Sequence, residues 1–411
     1  MKSFLRSCVR TLFSFEALFV LFLFAGVYKA DPRFGWVPVD LTALLFGLSV
    51  LALLVIIIRG GLKLDSRSLL LVGFGLVFAL YATASFAWTP APDMKYTQGK
   101  ALSTATLMIW PLIASSFVVA ADSRRIKRFL VCLFIFSSWI AIESFSVYVK
   151  MNEFNFIIAL GGERGQASYL PLGRVLGLGA VVVSGYLIFF AKSFRARASA
   201  FLVFSFYFFV LLVLGGKGPF VAAMISLFVP LAVGWRMSLK HPLKIKKYVI
   251  FIVVFVLIAG GVVITLIVTG NLTVTLARLV RGVSYSERLD IYNEAVRFWM
   301  QKPIFGHGIG SWPELLNLGD GRYYAHNIIL EILSELGLIG LFLFMPIVIL
   351  SFRALGKRQL IRNDPYRLLL LMMLVNTGIN ALFSGDLPDN RVLFAMFGLL
   401  MFFKREEPAL G

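Results

Sequence analysis

Beyond its first ten or so residues the chain alternates between long apolar runs and short polar connections. A run of about 20 apolar residues is what an α-helix needs to cross a bilayer. Such runs lie at roughly 12–30, 37–58, 68–88, 101–121, 129–149, 175–191, 199–215, 218–235, 248–269, 333–352, 368–384 and 391–403, which predicts about 12 membrane helices. The period-two alternation of a membrane β-barrel is absent. The charges in the connections are sorted. One alternate set, from "MKSFLRSCVR" and "DSRRIKR" to "KREE", holds about 25 of the 40 lysines and arginines. The other set is longer and richer in acids. Because basic loops stay on the cytoplasmic side, an even number of spans with both termini cytoplasmic is expected. The N-terminal run lacks a small-residue cleavage site and reads as the first span rather than as a removed signal.

Composition agrees with this pattern. The chain is 59% hydrophobic, with 40 phenylalanines and a formal charge of +19. In a soluble protein that charge would suggest nucleic acid. Here the basic residues flank apolar runs and no basic–aromatic module accompanies them, so the expected partners are anionic membrane lipids, and nucleic acid is not among them. Cys8 and Cys132 are the two cysteines, one in the basic N-terminus and one in an apolar run, which suits neither a disulfide framework nor a thiolate metal site. No repeat or soluble domain is visible. The chain reads as one polytopic membrane domain, 1–411.

Two outside connections are long: Lys150 to Arg174, and Asn271 to about Glu331. Long loops in compact proteins are usually functional or disordered, and the second has the composition of an ordered subdomain, 271–331. Ser284 and Glu287 have capping-box spacing. The stretch "YSERLDIYNEAVRFWMQ" has helical periodicity and stops at Lys302-Pro303. "FGHGIGSW" then supplies glycines for tight turns, and "YYAHNIILEILSELGLIG" begins a second helix with His326 and Asn327 at its head. Two outside helices packed on the membrane surface are expected.

Several residues in these segments suit chemistry. On a helix, His326 would share a stripe with Leu330 and Leu333, with Asn327, Glu331 and Glu335 on the next stripe. A plain reading makes His326 an interfacial cap. Neither His307 nor His241 lies at metal-ligand spacing from it, and no paired acidic motif marks a divalent-metal site, so no metal is expected. The outside arginines Arg278, Arg281, Arg288, Arg297 and Arg322 run against the charge bias. They pair with Glu287, Asp290, Glu294 or lipid, or they grip a phosphate or pyrophosphate with their planar forks. In "LGGKGPF", Lys217 sits on a short glycine-flanked turn, where it either snorkels to headgroups or helps hold an anion. Glu16, Asp40, Glu143, Asn376 and Asn380 are polar groups within or beside spans, and such residues usually face the protein interior or a cavity.

The order of "GGKGPF", "SERLDIYNEAVRFWMQKPIFGHGIGSW" and "AHNIILEILSELGLIGLFLF" resembles the O-antigen ligase and polymerase family of bacterial envelopes. The resemblance is specific from about Leu214 to Phe344 and rests on hydropathy elsewhere. It implies an all-α integral membrane protein of the GT-C-like type in the bacterial inner membrane. It further implies an inverting, metal-independent, cofactor-free glycosyltransferase whose active site is periplasmic. The implied donor is a glycan on undecaprenyl pyrophosphate. The acceptor is lipid A-core for a ligase, or a second lipid-linked repeat for a polymerase. The family's essential histidine falls on His326 and its helix-borne arginine on Arg288, and these are the expected catalytic residues. Its other arginine falls on Lys217, which keeps the charge and loses the bidentate fork. With Arg278, Arg281 and Asn327, Lys217 makes up the expected substrate-binding set. Ligation to protein and transport of a lipid-linked glycan are the other readings of such a chain. Against transport stand the lack of an inverted repeat and the cluster of chemistry-bearing residues on the outside loop.

Overall fold

A computed structural model gives the fold and describes residues 11–28, 32–60, 64–151, 169–214, 216–234 and 285–403, with single residues at 62, 253, 260, 261 and 264. The described residues are helical, with no strand among them. The main helices are α1 (Phe15–Leu23), α2 (Leu41–Ile58), α3 (Ser66–Ala84), α4 (Lys95–Ser103), α5 (Ile109–Phe117), α6 (Ser123–Met151) and α7 (Tyr169–Gly185). They continue with α8 (Phe194–Val213), α9 (Lys217–Gly234), α10 (Tyr285–Gln301), α11 (Ile328–Ala354), α12 (Pro365–Phe383) and α13 (Arg391–Leu399). A π-helical turn, Thr104–Met108, joins α4 and α5 into one long segment.

Nine segments among the described residues are long and apolar enough to cross a membrane. The chain is a multi-pass membrane protein. Of the twelve expected spans, the first is broken into Phe15–Leu23 and Ala25–Tyr28, and the last yields only the nine residues Arg391–Leu399. The expected span at 248–269 lies outside the described residues, apart from single helical positions. Helix starts follow the sequence closely. Asp40 accepts from Thr42 N at 2.7 Å, Asp65 from Ser68 N at 2.9 Å, and Asp364 from Tyr366 N at 2.8 Å. Each satisfies an amide that the first turn cannot pair internally. Asp40 is therefore a cap rather than an intramembrane site.

The core forms where α9 and α7 pack on α12, α5 packs on α13, and α3 packs on α11. α2 lies at the periphery, and most of its side chains are only partly covered. Two further polar groups within spans pair with neighbouring helices. Glu16 on α1 meets Arg125 at 3.1 Å and Arg128 at 3.5 Å, and Glu143 meets Arg33 at 2.9 Å.

Candidate functional site

The predicted helix over 285–301 forms as expected and ends at the Lys302-Pro303 step. Its cap pair does not come into view, since Ser284 lies outside the described residues. α10 packs along α11. The two share a small core of Ala295, Phe298, Trp312 and Ala325, in which the Phe298 and Trp312 rings meet edge to face at 5.3 Å. Trp312 also donates from Nε1 to Ser334 Oγ at 3.1 Å. The loop between α10 and α11 thus folds against membrane helices.

The glycine-rich turn is inserted into a break in α11. α11 is broken at Gly337, whose φ of 66° and ψ of −164° leave helical geometry. The carbonyls of Pro303 and Ile304 fill the gap. They accept from Leu338 N at 2.8 Å and Ile339 N at 3.2 Å, while His307 N and Gly308 N donate to Ser334 O and Glu335 O. A Cβ at Gly337 would sit 2.2 Å from Ile304 O, so the position excludes every other residue. Broken helices at membrane depth persist where neighbouring backbone satisfies the freed groups. Ile309 N donates to Ser85 Oγ at 2.9 Å and Thr97 Oγ1 donates to Gly310 O at 3.0 Å, which fixes the turn between α3, α4 and α11. His307 is consumed here, with Nε2 at 2.9 Å from Phe298 O.

This arrangement places His326 differently from the helical stripe expected of it. α11 begins at Ile328. Asn327 is its N-cap, accepting from Ile329 N at 2.9 Å and Leu330 N at 3.2 Å. The side-chain oxygen of Asn327 is thereby engaged in capping the helix. His326 precedes the helix with φ of 54°, a left-handed conformation rare for a side chain of its size. Strained backbone of this kind clusters at functional sites. The imidazole lies against the Tyr324 ring, 4.3 Å between centres and tilted by 48°, and the Arg322 guanidinium lies over that same ring at 5.3 Å. Nδ1 of His326 is buried with no hydrogen-bond partner among the described residues.

Three arginines converge on this histidine from different elements: Arg288 on α10, Arg322 in the loop and Arg174 on α7. Burial, reinforced by those three positive charges, pulls His326 from the ordinary histidine range down to about 4. It is neutral at physiological pH. Of the expected site residues, Arg288 therefore joins His326. Lys217 opens α9 rather than occupying a free turn, and α9 packs against α7 and α12 beside the cluster. Arg278 and Arg281 lie outside the described residues. Arg297 is paired with Glu294 one turn away.

The acids in the cluster come from an unexpected place, the "SGDLPDN" turn between α12 and α13. Arg322 meets Asp386 at 3.2 Å and also pairs with Asp389. Burial raises the Asp386 carboxyl, and the negative charge of Asp389 adds to the effect. Burial acts on Asp389 too, but Arg322, Arg391 and Arg174 outweigh it and hold that group ionised. Arg174 anchors the turn by donating from Nη2 to Ser384 O and to Asn380 O at 3.3 Å.

Glu331 and Glu335 do not orient the histidine. They converge instead on Lys100 of α4, whose Nζ lies 2.5 Å from Glu331 Oε1 and 2.7 Å from Glu335 Oε1, all three side chains being wholly buried. Glu331 Oε1 also accepts from Leu387 N at 3.1 Å, and Tyr96 Oη reaches Asp386 Oδ2 at 3.4 Å. The triad thus ties α4 and α11 to the aspartate turn. A lysine at the head of an apolar run was the sequence signal for it. Arg174, at the end of the first long outside loop, and the paired aspartates of "GDLPDN" were likewise legible as charges, but not as members of one site. Among the described residues no group of three histidine, cysteine or acidic side chains is arranged to hold a metal.

No curated protein matches the chain. A family model described as O-antigen ligase matches residues 200–345, the stretch that carries Lys217, Arg288 and His326. Over those residues the chain is similar to the O-antigen ligase family, the family its motifs resemble.

Proposed function

We propose that the protein is an O-antigen ligase, an inverting glycosyltransferase that moves a glycan from undecaprenyl pyrophosphate to lipid A-core at the periplasmic face of the inner membrane. The observation that carries this reading is a neutral, strained histidine enclosed by Arg288, Arg322 and Arg174 at the mouth of a broken membrane helix. The acceptor hydroxyl oxygen attacks the anomeric carbon as the bond from that carbon to the pyrophosphate oxygen breaks. The leaving pyrophosphate takes the bonding pair and the imidazole takes the hydroxyl proton. The new negative charge develops next to fixed guanidinium groups, which stabilise it without having to reorganise. With the site empty, those same cations make His326 a weak base. A bound pyrophosphate offsets their field, so the histidine gains basicity when the donor arrives and not before.

His326→Ala is expected to lower turnover by ~10²–10⁴-fold while donor binding persists. Arg288→Ala is expected to weaken both, and Arg288→Lys to recover only part, because the bidentate fork is lost. Transfer from a defined lipid-linked donor, with donor binding measured separately, checks these outcomes. A well-folded His326→Ala protein with near-normal turnover removes the histidine from the chemistry. The runner-up reading, a polymerase using the same chemistry on a second lipid-linked repeat, separates on a lipopolysaccharide gel after deletion. Loss of a ligase leaves long glycan on the carrier, whereas loss of a polymerase leaves core capped with a single repeat.

A further inference from the structure

A cavity of about 80 Å³ lies between the end of α1, the start of α7, the end of α12 and the start of α13. A single water needs ~10–15 Å³ on the same measure, so the cavity has room for a polyatomic group. Its lining includes the apolar Leu23, Val27 and Leu178 and the polar Arg174, Arg391 and Asn376. His326, Arg288 and Tyr324 do not line it, and of the arginines around the histidine only Arg174 does.

Asn376 is the informative residue. It is 1% exposed, within α12. Asn380 Nδ2 donates to Asn376 Oδ1 at 3.3 Å and to its carbonyl at 2.9 Å, which fixes the amide with its oxygen occupied. Asn376 Nδ2 is left buried with no partner among the described residues. An unpaired buried donor costs ~1–3 kcal/mol, and a ligand oxygen in the cavity would remove that cost. The charges agree. Asp389 also borders the cavity and pairs with Arg322, and the two guanidinium groups of Arg174 and Arg391 leave the lining with an excess of positive charge. Arg391 donates to Phe22 O at 3.4 Å from one nitrogen and lies over the Phe22 ring.

We propose that this cavity is a phosphoryl-binding site distinct from the His326 cluster, with Asn376 Nδ2, Arg174 and Arg391 as the donors. The apolar lining residues take the first carbons of the chain that carries the phosphoryl group, which makes a lipid phosphate the expected ligand. Binding here involves no glycosyl transfer, so the site stands or falls independently of the transfer reaction.

The test is binding of farnesyl phosphate, farnesol and inorganic phosphate to the purified full-length chain in detergent, followed by titration and by melting temperature. Farnesyl phosphate should bind and stabilise, and farnesol should bind at least tenfold more weakly. Two variants address the cavity. Asn376→Leu removes the free donor. Gly26→Leu adds bulk at the cavity rim, where a Cβ meets nothing within 4 Å and folding is not burdened. Each should weaken farnesyl phosphate at least tenfold, and Arg288→Ala should not. Inorganic phosphate binding as tightly as farnesyl phosphate, with the same sensitivity to Asn376→Leu, would support the anion site and identify free phosphate as its source. Equal binding of farnesol and farnesyl phosphate, or wild-type affinity in both cavity variants, would overturn the proposal.

Discussion

Gly337→Ala puts the whole architecture of the site to the test. The backbone there has φ of 66° and ψ of −164°, a region that glycine alone populates freely. Forcing alanine into it costs ~1–3 kcal/mol. The added Cβ would lie 2.2 Å from Ile304 O and 2.6 Å from Gly306 N, both backbone atoms that cannot rotate aside. The 303–306 segment must therefore move away. That movement breaks the bonds from Leu338 N and Ile339 N to Pro303 O and Ile304 O. Each amide left unpaired at membrane depth adds ~1–3 kcal/mol, so the total is at least ~3 kcal/mol, a sizeable part of the ~5–15 kcal/mol that holds a typical domain. The displaced segment connects α10, which carries Arg288, to the loop that carries His326. Misplacement by ~1 Å costs up to ~10²-fold in rate. Purified Gly337→Ala protein should melt well below wild type and transfer glycan at least tenfold more slowly. Gly73→Ala is the control, because a Cβ there meets nothing within 4 Å. Wild-type melting and turnover in Gly337→Ala would refute the claim that the inserted turn holds the site together.

Four further outcomes are expected. The acid limb of kcat/KM, which reports the free enzyme, should lie near the His326 value of about 4, and that of kcat should lie at higher pH because bound pyrophosphate offsets the arginines; Arg288→Ala should move the kcat/KM limb upward, and identical limbs in wild type would contradict the coupling. Since the folded histidine binds its proton more weakly than the unfolded one, this group's contribution to stability is present above pH ~6.5 and is lost as pH falls toward 4, as melting against pH will show. Lys100→Met strands two buried carboxylates, so melting should fall by the equivalent of ~3–5 kcal/mol; Lys100→Met combined with Glu331→Gln and Glu335→Gln should recover part of it, and an unshifted single variant would remove the triad's structural role. For topology, a cysteine at Leu318, 49% exposed, should label from the periplasm in a Cys8→Ser, Cys132→Ser background while one at Lys357 should not; Ser311 is fully buried and unsuitable as a probe site.

The sequence by itself determined the solvent and the local elements. Apolar runs of bilayer length without period-two alternation dictate membrane helices, because a helix satisfies its whole backbone within the segment and the alternative, a closed barrel, needs that alternation. Period and punctuation placed α10 from Tyr285 to Gln301, where Lys302-Pro303 ends it. The motif order also singled out Arg288 and His326, which the fold brings within electrostatic reach. Local pattern could not show how the glycine-rich turn enters a broken helix, because Gly337 becomes non-helical only when Pro303 and Ile304 supply acceptors from more than thirty residues away. Nor could it pair Lys100 with Glu331 and Glu335, or Arg322 with Asp386 and Asp389, since charges near lipid choose partners by proximity in space rather than in sequence. His326 shows the division most clearly. Its place beside a helix start was written in the chain. Its left-handed backbone and its contact with Tyr324 belong to the folded loop, and its neutral state was decided by burial beside three arginines from three separate elements.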